Sequence, residues 1–267
     1  MSNEKNSTLP VYPLYEGTFS VGLDKKFNRI DRDDPPNKGA LKLSINPFLI
    51  KDGDRNILFD VGLGEFGVDT STDTIKNNLA EQDIEDFEIT DIFASHLHWD
   101  HIGGLAGRES GYWELTFLEA TLWISKNEWE KLMGMLDKQD EDKADFISFV
   151  ESKAKIEFLG DEEEPLPHVR TKKIGGHTEF SQALFYENSD QKFLMAGDVI
   201  GTRGEINRNF AAKYDYDGKQ SMNVRNELKK KAFDEDYGIL TYHETHHPVF
   251  KLIDTEDHKS YTIKNLV

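Results

Sequence analysis

Apolar positions along the chain fall into short runs separated by charged turns, and two periods alternate. Leu41 to Lys51 and Ile57 to Val61 are extended runs joined by Asp52-Gly53-Asp54-Arg55-Asn56. Asp-Gly between apolar runs predicts a hairpin. Upstream, VYPLYEGTFSV at 11–21 is rich in β-branched and aromatic residues and predicts another strand. Ile75, Leu79 and Ile84 give 74–85 a weak helical pattern, and Ile89 to Ala94 reads as a buried strand. Leu115 to Ile124 contains a short strand. Ser125-Lys126-Asn127-Glu128 then has the form of a capping box, with Trp129, Leu132, Met133 and Leu136 following at helical spacing. Phe146, Phe149 and Val150 predict a second helix, and the charged stretch 137–145 a solvated connection or helix face.

Strands are expected at 156–159 and 169–174, separated by the acidic run Asp161 to Glu164. Ala183 to Glu187 and Lys192 to Ala196 form a predicted hairpin. A long loop covers 201–218, a charged amphipathic helix 219–236, and a buried-type strand 238–242. Residues 1–38 are polar and broken by Pro10, Pro13, Pro35 and Pro36, so 24–38 is expected to be an irregular arm.

Helical and strand periods in alternation indicate an α/β protein. The 267 residues suffice for a large core. Lys plus Arg number 32 and Asp plus Glu 50, a net charge of −18, which disfavours nucleic acid as a partner because such binding rests on basic phosphate contacts. The chain has no cysteine, so disulfides say nothing about compartment. The start, MSNEKNSTLP, has no apolar segment of signal-peptide type, and no run approaches the roughly 20 apolar residues needed to span a bilayer. A cytoplasmic enzyme without a membrane partner is the expectation.

The candidate chemistry is concentrated in IFASHLHWDHIGG at 92–104. His96, His98, Asp100 and His101 form an H-x-H-x-D-H arrangement directly after a buried strand. Alternate residues of an extended segment share a face, so His96 and His98 can address one metal ion while Asp100 and His101 address a second. Imidazole and carboxylate suit zinc and its borderline neighbours. Gly62, Gly64 and Gly67 spell G-x-G-x-x-G, but turn-like residues follow Gly67 where a dinucleotide site needs a helix, so that reading is set aside.

His96-Leu97-His98-Trp99-Asp100-His101 resembles the signature of the metallo-β-lactamase superfamily, and the resemblance runs from about residue 40 to the C-terminus. It implies a single αββα sandwich domain over 1–267, with 1–38 as an irregular N-terminal arm, and two divalent metals, zinc favoured with manganese, cobalt or iron as alternatives. By the same resemblance His177, in Gly175-Gly176-His177-Thr178, completes a first site with His96 and His98. Asp198 bridges to a second site of Asp100, His101 and a last histidine. His243 at a strand end is favoured for that place over His246 or His247. Asp60 matches a supporting aspartate behind the ligands, and Asp100 is the candidate proton relay. His168 and His258 lack such context and are expected at the surface.

Within the superfamily the motifs look most like the lactonase and esterase branch, including acyl-homoserine lactone lactonases. That branch implies a metal-bridging hydroxide attacking a lactone or ester, with phosphotriester or aryl ester hydrolysis, or mononuclear-iron oxidoreductase chemistry, as alternatives. A small-molecule substrate with an acyl chain would suit Phe66, Phe180 and Phe210, and a homodimer is compatible. Two departures stand out. The G-H-T-P-G-H continuation lacks its final histidine, and Gly201 stands where that branch commonly has a tyrosine.

Overall fold

The computed structural model describes residues 9–108, 111–256 and 258–267, so the first eight residues of the expected arm lie outside the described residues. The chain begins with β1 (Val11–Pro13), β2 (Gly17–Val21), β3 (Phe27–Ile30), β4 (Leu41–Ile45), β5 (Phe48–Asp52) and β6 (Arg55–Phe59). Next come α1 (Asp73–Ala80), β7 (Asp91–Phe93), α2 (Trp99–Ile102), β8 (Ala106–Gly107), β9 (Glu114–Leu115) and β10 (Thr121–Ser125). Then follow α3 (Lys126–Met133), α4 (Glu141–Lys153), β11 (Lys155–Leu159), β12 (Glu162–Leu166), β13 (Val169–Lys173), β14 (Gln182–Glu187) and β15 (Lys192–Met195). The chain closes with α5 (Gly218–Asp234), β16 (Gly238–Leu240), β17 (Val249–Asp254) and β18 (Thr262–Asn265).

Among the described residues, six strands form one sheet in the order β1-β5-β6-β7-β10-β11, and seven form a second in the sequential order β12 to β18, with α5 as the crossover between the parallel β15 and β16. Their inner faces meet: Phe48, Ile50, Ile57, Phe59 and Phe93 pack against Leu184, Tyr186, Phe193, Met195 and Leu240. On the outer face of the first sheet, Leu58, Ile92 and Leu122 pack against Ile75 and Leu79 of α1, Trp129 of α3 and Phe146 and Val150 of α4. On the outer face of the second, Phe185, Leu194 and Ile239 meet Leu228 and Ala232 of α5. The result is the four-layer αββα sandwich. β14 shows why its sequence is apolar at successive positions. Leu184 and Tyr186 face the sheet-sheet core while Ala183 and Phe185 face the helix layer, as expected of a strand buried on both sides.

Four expectations change. The predicted strand at 41–51 splits into β4 and β5, which pair in different sheets. The predicted strand at 11–21 divides: β1 pairs with β5 of the first sheet, whereas β2 pairs with β3 and β4 in a separate three-stranded sheet. The arm at 24–38 is not wholly irregular, because β3 lies within it. β3 is only half-buried, its Phe27 ring 5.9 Å from that of Phe19, and Asn28 and Arg29 between Phe27 and Ile30 mask the strand pattern. The acidic separator after 160 is itself largely a strand, β12, whose three glutamates point to solvent from a sheet edge. Edge strands accept charge that central strands would not. β17 and β18 complete the second sheet beyond the strands read from the sequence.

Candidate metal centre

The ligand-type residues sit on loops at strand ends that the two central sheets bring to one edge. β7 ends at Phe93 and delivers His96 and His98. The short α2 then carries Asp100 and His101. β13 leads to His177, β15 to Asp198 and β16 to His243. The tight return after α2 depends on Gly103 and Gly104. Neither has positive φ; instead a Cβ on Gly103 would overlap the Leu63 carbonyl oxygen, and one on Gly104 that of Val61. The close approach lets the Val61 amide donate to the His101 carbonyl at 2.9 Å.

Two groups of ligand atoms result. His96, His98, His177 and Asp198 form one, and Asp100, His101 and His243 the other, with the atoms of each within 4.8 Å of one another. In the first, His98 Nδ1 lies 3.0 Å from His96 Nε2 and 3.1 Å from His177 Nε2. In the second, Asp100 Oδ2 lies 3.8 Å from His101 Nε2 and 3.6 Å from His243 Nε2. Asp198 joins them: its Oδ2 is 3.2 Å from His177 Nε2, while its Oδ1 is 3.2 Å from His101 Nε2 and 3.0 Å from His243 Nε2.

The nitrogen–nitrogen spacings approach the ~3.3 Å edge of a tetrahedron with zinc-type bonds of about 2.0 Å. His101 Nε2, His243 Nε2 and Asp198 Oδ1 are buried and, despite their proximity, have no properly oriented hydrogen-bond partner. Lone pairs converging on one point in this way suit a cation and are costly without one. The donor set therefore fits divalent metal.

Each buried imidazole is held from behind. His101 Nδ1 donates to Asp60 Oδ2 at 2.7 Å, His177 Nδ1 to Asp215 Oδ1 at 2.9 Å, and His243 Nδ1 to the Ser44 carbonyl at 2.9 Å. His96 Nδ1 lies 3.1 Å from Ser95 Oγ, whose hydroxyl donates to Asp60 at 2.7 Å. These partners leave the four Nε2 atoms as lone-pair donors, the arrangement that orients metal-bound histidines. Asp60 also accepts the Ser95 amide and adopts a left-handed φ of 56°, strain of the kind that persists at functional sites. His98 differs, presenting Nδ1 inward while its outer edge opens to the cleft.

Electrostatics follow from the carboxylates. Burial disfavours the charged form of His101, His177 and His243, but Asp198, joined by Asp60 and Asp100 at His101, Asp215 at His177 and Asp100 at His243, outweighs burial and raises all three. Burial and neighbouring imidazoles push His96 well below its ordinary value. Burial opposes ionisation of Asp198, yet His243, His177 and His101 hold it well below the usual carboxylate range. Four carboxylates (Asp60, Asp100, Asp198, Asp215) thus face imidazoles that are neutral when they ligate, negative charge that divalent cation would offset.

The cleft beside the cluster has two lobes. The larger, about 340 Å³, is walled by Leu97, Trp99, Glu128, Leu132, Phe180 and Tyr216. The smaller, about 110 Å³, lies between Leu41, Leu43, Thr202 and Glu205, and Tyr214 lines both. The structure thus places Phe180 in the cleft. Phe66 packs instead among Trp99, Trp113 and Phe146 in the helix-layer core, and Phe210 lies under the Arg225 guanidinium, 4.4 Å away. Of the candidate last histidines, His243 joins the cluster; His246 is exposed and meets Asp33 at 3.0 Å. His168 pairs with Asp52 at the surface, and His258 is exposed. Sequence reasoning missed Asp215 and Tyr214, which sit in an irregular loop with no motif around them.

A four-layer αββα fold with a histidine–aspartate cluster suited to divalent metal at the sheet edge defines a class of metal-dependent enzymes, mostly hydrolases. The chain belongs to the metallo-beta-lactamase superfamily, whose sequence profile matches residues 41–243. No curated protein matches it by sequence. Among solved structures, a probable metal-dependent hydrolase from Staphylococcus aureus is similar, with 19% identity, a TM-score of 0.73, and 97% of this chain and 99% of that one covered. AidC, a dizinc quorum-quenching lactonase in complex with an N-acyl-homoserine product, has 19% identity and a TM-score of 0.75, with 96% and 94% covered. A variant of AiiA from B. thuringiensis with N-decanoyl-L-homoserine bound at the active site has 20% identity and a TM-score of 0.65, with 88% and 93% covered.

Proposed function

We propose that the protein is a dinuclear metal-dependent hydrolase that opens a lactone or cleaves a related ester, with acyl-homoserine lactone-like substrates favoured. The observation that carries this is Asp198, whose two oxygens face two separate groups of histidines, the placement a carboxylate needs to bridge two ions. His96, His98 and His177 would hold one ion, and Asp100, His101 and His243 the other. When bound, such ions acidify a water towards neutral pH and polarise a substrate carbonyl. Zinc fits the nitrogen-rich donor set, and manganese, cobalt or iron remain alternatives for the assay below.

The chain's own groups supply the rest. Asp100 would take the proton released by the attacking water and pass it to the leaving alkoxide, so that the water's oxygen ends on the acyl carbon and its proton on the departing alcohol. Tyr214 lines both lobes, and its phenol, protonated at neutral pH as an ordinary tyrosine is, can donate a hydrogen bond to charge developing between them. This tyrosine reaches the site from the 201–217 loop, whereas Gly201 leaves the usual position of the branch empty. The unequal lobes flanking the cluster suit a substrate with a small alcohol or ring part and a longer acyl part. The two neighbours with N-acyl-homoserine products support the same choice.

Metal analysis of the purified protein beside a ring-opening assay on short- and long-chain acyl-homoserine lactones tests the reading. Two equivalents of metal with ring opening are expected. Two equivalents without opening would redirect the search to phosphotriesters and aryl esters, and a single iron would overturn the hydrolase in favour of oxidoreductase chemistry. The substitution His98→Ala is expected to abolish metal binding and activity together, and full metal stoichiometry in that variant would sink the ligand assignment.

A further inference from the structure

α2 spans only four residues, Trp99–Ile102, yet carries two of the ligand-type side chains, Asp100 and His101. A single helical turn does not sustain itself, because so little propagation follows the costly nucleation, and its last carbonyls have no partner within it. The Tyr242 hydroxyl supplies one from the second sheet. It donates to the Asp100 carbonyl at 2.6 Å and accepts the Gly62 amide at 3.1 Å. The Tyr242 ring stacks on the His101 imidazole, with centroids 4.1 Å apart and 22° between the planes. Asp60 thus holds that imidazole at its edge and Tyr242 at its face. The next residue is His243, the third member of the second group, and the Tyr242 ring meets its imidazole edge-on at 5.2 Å. Tyr242 is itself fixed: it is fully buried, and its carbonyl accepts the Asn46 backbone amide at 3.0 Å and side-chain amide at 2.8 Å. In the first group other residues do this work, Ser95 at His96 and Asp215 at His177.

We propose that Tyr242 is the positioning residue of the second group of ligands, through which the end of β16 in one sheet sets the place of α2 beside the other. The inference rests on the dinuclear reading and deepens it. Affinity for the ion held by Asp100, His101 and His243 depends on Tyr242; affinity for the ion held by His96, His98 and His177 does not. Tyr242 acts only through the ligands, by two separable contacts. Its hydroxyl places Asp100 through the backbone, and its ring sets the plane of His101. Tyr242→Phe keeps the stacked ring and leaves the Asp100 carbonyl and the Gly62 amide without that partner, a cost borne where the groups are buried. Tyr242→Leu removes both contacts.

The test is zinc titration of the full chain against a chromogenic chelator, read in parallel by the imidazole 15N resonances. Wild type is expected to take up two equivalents. In Tyr242→Phe one equivalent is expected to keep its wild-type affinity and the other to weaken about tenfold, and in Tyr242→Leu about 100-fold, the range over which contacts that orient a ligand govern metal affinity. The resonances identify the ion concerned. Those of His101 and His243 are expected to shift only at the higher zinc concentration, and those of His96 and His177 to follow the wild-type curve. A purely structural role would lower the melting temperature of the metal-free variants and leave both affinities unmoved. That result, wild-type affinity for both ions in Tyr242→Phe, or equal weakening of both would overturn the proposal. The phenylalanine variant decides the matter even where Tyr242→Leu does not fold. Wild type that takes up a single ion would instead fail the dinuclear reading, and the proposal with it.

Discussion

At the scale of single residues, the candidate centre is organised by the groups behind the ligands as much as by the ligands. Asp215 shows this. It fixes the His177 tautomer from a loop 38 residues further along the chain. Asp215→Asn keeps the shape and removes the charge, so metal affinity in chelator competition is expected to fall about 10- to 100-fold, with little change in melting temperature of the metal-free protein. Unchanged affinity would show that the Asp215 contact is incidental. Glu16 provides a pH test. Burial, reinforced by Asp100 and opposed by the Leu63 amide and Arg29, pushes its carboxyl from 4.5 to about 8. The folded protein therefore holds a proton that the unfolded chain releases, and this contribution is full below about pH 4.5 and lost as pH rises through 8. Glu16→Gln is expected to gain stability relative to wild type at pH 9, by up to a few kcal/mol, and to gain none at pH 5. Denaturant melts of chelated protein at both pH values would show it; equal shifts at the two would refute it.

At the scale of elements, the loop at 201–217 is the least regular part of the site and the most deliberately anchored. The Tyr216 amide donates to the His177 carbonyl and the Asp217 amide to that of Gly176. The Asp217 side chain then caps α5 by accepting from Lys219 and Gln220. From within α5, Arg225, 2% exposed, donates to the Val199 carbonyl at 2.7 Å and the Phe210 carbonyl at 3.1 Å. Lys229 donates to Ile206 at 3.1 Å. The apparently solvent-facing charges of this helix thus hold the loop that brings Tyr214 and Asp215 to the cleft. Arg225→Met leaves these carbonyls and the nearby Glu205 without their cation, so a loss of about 3–5 kcal/mol is expected. It should be accompanied by faster amide exchange confined first to 201–217. A destabilised protein whose 201–217 amides stay protected would refute the anchoring role.

At the scale of the whole molecule, the ligands come from both halves of the sandwich. His96, His98, Asp100 and His101 follow a strand of the first sheet; His177, Asp198 and His243 follow strands of the second. Bound metal would therefore join the sheets at one edge and neutralise the carboxylates gathered there. Removal by a strong chelator is expected to lower the melting temperature by roughly 10 °C, given about 4 kcal/mol of linkage at a thousandfold excess over Kd and a few degrees per kcal/mol for a chain of this size. Calorimetric scans with and without chelator measure this, and coincident transitions would exclude a stabilising metal. Among the described residues, no helix is long and apolar enough to cross a membrane.

Local signals in the sequence determined much of this. Apolar runs bounded by turns placed β6, β14 and β15, a short strand expected within 115–124 anticipated β10, and helical spacing placed α3 and α5, because burial leaves a trace along the chain. H-x-H-x-D-H announced the chemistry because its ligands are neighbours along the chain. Where the trace was faint, the structure decided. β3 and β12 are edge or half-buried strands, whose polar residues are tolerated because half their surface stays in water. Glu128 reads as a cap from its spacing, and only packing against Leu97 and Thr178 turns it into the cleft. Phe66 and Phe210 are aromatics in loops to the sequence, yet the fold assigns one to the helix-layer core and the other to an arginine. Asp215 meets His177, and Ser44 meets His243, across long separations in the chain. Local order is encoded by neighbours in sequence; the partners that orient a ligand are set by which loops two packed sheets bring to the same edge.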